Sequence, residues 1–246
     1  MIRRQMIRRH RKLLLLHLVA NALLLWLAYE WLGVDESNTG RLLLSGVDAL
    51  AILSLVCWLY GASMVWFHAK EPRLNESFRT ALRHLGGLLL LAIGSLALYG
   101  LLGKLETASA QAALRIASWL TWTFRTPIKP ATITKIFNAI LWLLRWDIFP
   151  VLLLPVAAAI AVRGRSGWNA IRARRPWMRW IIITPILALA GLWLPFVILD
   201  WQPKVSSFAL EFISFTLRAL VAYVIFLASM LTLARTHAVA DPFGRS

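Results

Sequence analysis

The sequence predicts an all-α protein, a polytopic transmembrane helix bundle of six spans with both termini in the cytosol (N-in/C-in) and an amphipathic interfacial helix between spans 3 and 4. Charged residues make up 15% of the chain and hydrophobic ones 59%, whereas a soluble domain carries about 25% charged and about 45–50% apolar residues. The apolar residues are gathered into blocks long enough to cross a hydrocarbon core ~30 Å thick, which takes ~20 helical residues. The Lys and Arg residues behind the net charge of +16 sit in the connectors between blocks, where topology rather than nucleic-acid binding puts them. The whole chain, 1–246, therefore reads as a single integral membrane domain.

The N-terminus, Met1 to Lys12, has the basic region of a secretory signal. The Leu-rich run after it outlasts signal length and meets no small-residue cleavage site, so it is expected to stay as span 1, about 13–31. Span 2 covers about 42–67 with Asp48 as its only charge, and span 3, about 85–103, has none. Residues 106–124 interleave Leu114, Ile116, Trp119 and Phe124 with Ser109, Gln111, Arg115 and Ser118. That pattern suits a helix lying in the outer headgroup layer. Span 4, about 136–162, contains Arg145 and Asp147; span 5, about 181–199, is uncharged; span 6, about 208–234, carries Glu211 and Arg218. Trp31, Trp66, Trp180 and Trp201 fall at span ends, where indoles anchor. Trp26, Trp58 and Trp193 lie deeper and are expected to pack against other helices.

The distribution of cations sets the orientation. With the N-terminus inside, the inner segments hold eighteen Lys and Arg residues, clustered at 3–12, 70–83, 163–179 and 235–245, against seven in the outer segments. A seventh span at 106–124 would move the six arginines of 163–179 to the outside, against the positive-inside rule.

Ionisable residues within spans are costly and face protein or water. Asp48, Arg145, Asp147, Glu211 and Arg218 thus form the candidate intramembrane charge cluster, in the outer half of the bundle, with Arg218 near the midplane. Its expected role is an ion-pair network fixing helix register; the competing role is a site for an ion, proton or small anion. Pro150 and Pro155, with Pro185 and Pro195, mark kinks in spans 4 and 5. Gly87 and Gly94, with Ala97 beyond, suggest a close helix contact. The connector bearing Arg163, Arg165, Arg172, Arg174, Arg175 and Arg179 is expected to bind anionic headgroups on the inner leaflet, or a protein partner.

No catalytic motif emerges. There is no His-Glu-x-x-His sequence, no Gly-rich phosphate loop and no Cys-x-x-Cys. The single cysteine, Cys57, reads as a small apolar residue. Gly61-Ala62-Ser63-Met64 resembles the nucleophile segment of rhomboid proteases, but Met64 replaces the glycine that motif requires and no histidine is expected at that depth. His17, His68 and His84 fall near the inner ends of spans 1 to 3, where solvated imidazoles are the default and haem or pigment ligation the minor alternative. No cofactor and no metal is expected. The function expected is that of a non-enzymatic integral membrane subunit that scaffolds or stabilises a larger membrane protein assembly. A small transporter or channel component is the alternative. Membrane lipids and other membrane subunits, or further copies of the chain, are the expected partners, in a bacterial cytoplasmic membrane.

Overall fold

A computed structural model describes residues 2–35, 37–172, 177–203 and 207–239, with side chains for 11–35, 37–170, 182–203 and 207–237. Among them there is no strand, and six helices are long and apolar enough to cross a membrane. The helices are α1 (Ile2–Leu32), α2 (Thr39–His68), α3 (Leu74–Arg83), α4 (Leu85–Phe124), α5 (Pro130–Leu143), α6 (Phe149–Arg163), α7 (Trp177–Ala188), α8 (Leu194–Asp200) and α9 (Phe208–Val239). Most large apolar side chains on their outer faces are exposed, Leu90 at 63% and Leu96 at 60% among them, as expected of a bundle whose solvent is hydrocarbon.

Four of the long helices meet at one level. Met64 of α2, Leu88 of α4, Ile160 and Ala161 of α6 and Ala234 of α9 form a buried cluster. It lies about one turn, ~5–6 Å, from His68, His84, Arg163 and His237. This side of the bundle is called the His84 end. Small residues allow the approach: a Cβ on Gly87 would come 3.0 Å from Ile160 Cγ2, and one on Gly61 would come 2.7 Å from Leu88 Cδ1. Gly94, expected in the same contact as Gly87, faces open space. At this end His84 Nδ1 donates to the Ala161 carbonyl at 2.9 Å. Gly164, at φ +61°, turns the chain against the His84 ring so closely that a Cβ there would lie 2.6 Å from Cδ2.

Two features depart from the sequence expectation. Residues 106–124 do not form a separate helix but continue α4, which is 40 residues long. No proline, and no glycine beyond Gly103, interrupts this stretch, and Lys104-Leu105-Glu106 are good helix formers. α5 returns antiparallel along it, seated on the buried stripe Ser109, Ala113 and Ala117, whose small side chains let the axes approach. Secondly, the connector between spans 2 and 3 contains the amphipathic helix α3, with Ala81 fully buried beside Gly61. The prolines, expected to kink spans 4 and 5, leave them helical throughout. Pro150 and Pro195 each follow a π turn, Leu144–Ile148 and Leu189–Trp193, which shifts the local bonding so that Phe149 N–H reaches Leu144 O and Leu194 N–H reaches Leu189 O. Gly191 in the second π turn lets it touch α9, since a Cβ there would lie 2.8 Å from both Ser229 Cβ and Met230 Cε. Trp58 packs edge-on against Phe78 as expected of a deep indole, while Trp26 and Trp193 are 57% and 56% exposed on the outer faces.

Candidate functional site

The most polar part of the interior joins α1 and α2. His17 is 0% exposed, Ser63 1% and Asn21 3%. His17 Nε2 lies 2.5 Å from Ser63 Oγ, and Asn21 Nδ2 lies 3.2 Å from His17 Nδ1 and 2.9 Å from the His17 carbonyl. The carbonyl can only accept, which fixes Asn21 Nδ2 as the donor and its Oδ1 as the acceptor of the Tyr60 hydroxyl at 2.9 Å. His17 Nδ1 therefore accepts, Nε2 carries the proton and donates it to Ser63 Oγ, and Ser63 donates to the Leu59 carbonyl at 2.9 Å. A second link ties α9 to this region through the Tyr223 hydroxyl, which donates to the Leu18 carbonyl.

Two expectations are corrected here. His17 was expected at a wet edge, yet it is fully buried, five residues beyond Lys12, which lines a surface pocket with Trp66 and Arg73 near the end of α2. A histidine does stand at the depth of Ser63. The proton order nevertheless leaves Nε2 with no lone pair to accept the Ser63 proton, so this pair is not set up as nucleophile and base. Both ring nitrogens of His17 are engaged by protein groups, and His84 Nδ1 is likewise held by Ala161 O. His68 is half-buried at the end of α2. Among the described residues no group of three or more His, Cys, Asp or Glu is arranged to hold a metal ion.

Next to this network a cavity of about 420 Å³ opens between α2, α4, α6 and α9. Its floor is the buried cluster at Met64, Leu88 and Ala234, and its upper wall includes Val56, Ser95, Leu153 and Phe226. Eight residues separate floor from rim along α2, so the cavity is ~12 Å tall. Sequence reasoning missed it. The only trace is a set of small residues, Gly61, Ala92, Ala157 and Ala234, scattered over four helices and brought to one space by the fold.

The predicted charge cluster is not brought together. Among the described residues, no ion pair or hydrogen bond links any two of Asp48, Arg145, Asp147, Glu211 and Arg218. Arg145 pairs instead with Glu106 at 3.0 Å, and its carbonyl accepts from the Tyr99 hydroxyl at 2.7 Å. Arg218 donates through Nη1 to Leu199 O at 3.1 Å and to Trp201 O, and through Nε to Ser214 O at 3.3 Å. It thus caps the last carbonyls of α8, where a cation also meets the negative end of the helix dipole. Counted from the buried cluster at 1.5 Å per residue, Asp48, Arg145 and Arg218 lie ~22–24 Å away, Asp147 ~20 Å and Glu211 ~35 Å. With the further turn to the helix ends, the first three are ~27–30 Å from the His84 end. By helix rise Arg218, expected near the midplane, is thus about as far from the His84 end as a hydrocarbon core is thick, ~30 Å. Asp48 is half-buried and Glu211 exposed, neither with a bonded partner among the described residues. One carboxylate oxygen of Asp147, in the π turn, is buried and accepts no hydrogen bond.

Of the arginine-rich connector, Arg163 ends α6 and is half-buried, and Arg165 is exposed on a 3-10 segment, Gly164–Arg172, that folds back on α6. A Cβ on Gly167 would lie 2.5 Å from the Ala159 carbonyl, so this fold-back depends on glycine. Arg174 and Arg175, and the side chains of Arg172 and Arg179, lie outside the described residues. No family model, no curated protein and no solved structure matches the chain.

Proposed function

We propose that this chain is a non-enzymatic integral membrane subunit that scaffolds or stabilises a larger membrane protein assembly. The observation that carries the reading is the α4–α5 hairpin. From the Arg145–Glu106 pair it runs eighteen residues to the end of α4, ~27 Å at 1.5 Å per residue, while the headgroup layer on one side is only ~6 Å deep. Trp119 and Trp122 are 61% and 79% exposed there, with Phe124, Leu114, Ile136 and Ile140 also uncovered. Apolar surface at that distance from hydrocarbon calls for a protein partner. The charges near the spans support the same reading, since Arg145 and Arg218 hold the fold together.

The topology that goes with it has six spans, the His84 end cytosolic with both termini, and the hairpin outside, in a bacterial cytoplasmic membrane. The segment 106–124, read from sequence as interfacial, then starts in the outer headgroup layer and rises from it with α4. The arginine connector, including Arg163 and Arg165, lies against anionic headgroups of the inner leaflet. Purification of the chain with its native neighbours after mild crosslinking tests the function. A stoichiometric complex that is lost in a Trp119→Ser, Trp122→Ser variant, while that variant stays monodisperse, supports it. A chain that purifies alone and moves solute across vesicle membranes overturns it.

One observation favours the alternative of a transporter or channel component. Asp147 keeps a buried unbonded oxygen at a π turn, and such turns recur at functional sites. A proton or cation flux abolished by Asp147→Asn, with the fold intact, would select that reading.

A further inference from the structure

The cavity between α2, α4, α6 and α9 has the chemistry of a binding site, and we infer that it holds one acyl chain of a bilayer phospholipid. Its volume, about 420 Å³, falls in the ~300–1,000 Å³ range of ligand pockets and far exceeds a packing defect. The space opens outward rather than being sealed, and its apolar walls gain dispersion contacts only when apolar atoms fill it.

Water does not fill it. A buried water needs two to four polar partners, and the polar groups of the wall are already engaged: Ser95 Oγ donates to Leu91 O at 2.7 Å, the Tyr60 hydroxyl donates to Asn21 Oδ1 at 2.9 Å, and Cys57 Sγ lies 3.9 Å from Leu88 O. No charged residue lines the space. A polar or ionic solute finds nothing there to replace its hydration.

What remains is hydrocarbon, and the position of the cavity selects its source. All four walls belong to helices long and apolar enough to cross a membrane. The space spans ~6–18 Å from the His84 end, which is the depth of lipid tails in a ~30 Å core. The buried cluster closes it toward that end, so an acyl chain enters sideways, between the helices, from the leaflet of that end. Met64 and Met230 line it, and unbranched thioether side chains adapt to a flexible chain. The cations concentrated in the connectors of the His84 end favour retention of a lipid with an anionic headgroup.

The purified protein in vesicles containing phosphatidylglycerol with a diazirine midway along one acyl chain provides the test. Photolabelling is expected on peptides containing Met64, Leu153 or Met230, and excess unlabelled phosphatidylglycerol should reduce it at least tenfold. The filled variants Ala157→Phe and Ala92→Phe should lose the same label at least tenfold, whereas Leu43→Phe, on the outer face, should not. Label confined to outward-facing residues, or label unchanged by competition in the wild-type chain, overturns the inference, and the competition arm stands even where a filled variant fails to fold. Displacement by a free fatty acid or an isoprenoid alcohol, but not by phospholipid, also overturns it.

Discussion

His17 shows how a single residue can change meaning between the sequence and the fold. In the sequence it is a histidine five places after a lysine, directly behind four leucines. In the structure its two nitrogens close a chain of donors and acceptors running from Tyr60 through Asn21 to Ser63. Replacing His17 with Leu leaves Ser63 and Asn21 short of partners in a dry interior, which costs about 1–3 kcal/mol. Thermal unfolding in detergent should show a clear fall in midpoint, and an unchanged midpoint would mean that the network does not support the bundle. The same proton order predicts that a fluorophosphonate probe does not label Ser63; covalent labelling there would reveal a nucleophile. Arg218 makes a parallel case at the far edge. Arg218→Leu uncaps the carbonyls of Leu199 and Trp201 and should destabilise by about 1–2 kcal/mol, with Arg218→Lys recovering part of that. A fully stable Leu variant would remove its structural role.

At the level of elements, the hairpin of α4 and α5 rests on small side chains. Ala113 is 0% exposed and Ala117 1%, so Ala113→Phe forces the two helices apart at a cost of about 1–3 kcal/mol. The expected readout is faster proteolysis between residues 104 and 143 with the rest of the bundle still protected; unchanged protection would mean that α5 does not pack on this stripe. The turn between them carries Arg125 at φ +53°, a conformation that a non-glycine residue adopts at a penalty. The π turns before Pro150 and Pro195 have the same kind of origin. A missing N–H is absorbed by a wider helical turn, which keeps each helix continuous and re-aims the residues after it.

For the whole molecule, the decisive question is which part of each long helix meets lipid. On the proposed topology, depth counted from the Met64–Leu88–Ile160–Ala234 cluster puts Arg145 and Arg218 at the far edge and the hairpin beyond it. In a Cys57→Ala background, a cysteine replacing Trp119 should react with a membrane-impermeant maleimide added from outside intact cells, whereas one replacing Leu96, exposed on an outer face and ~18 Å from the His84 end, should not. Protection of both positions would place the hairpin within the membrane and undo the depth map.

The all-helical character and six apolar blocks long enough to cross a membrane were legible in the sequence, because hydrocarbon imposes length and composition locally on each helix. The partners of Arg145, Arg218 and His17 were not, nor was the cavity. Each depends on which faces of distant helices meet: Glu106 lies 39 positions from Arg145, and Ser63 lies 46 from His17. Lipid offers apolar side chains no preference among faces, so the choice between them rests on small residues, hydrogen bonds and close packing. Those terms act only once the helices are side by side, and the tertiary structure alone decided them.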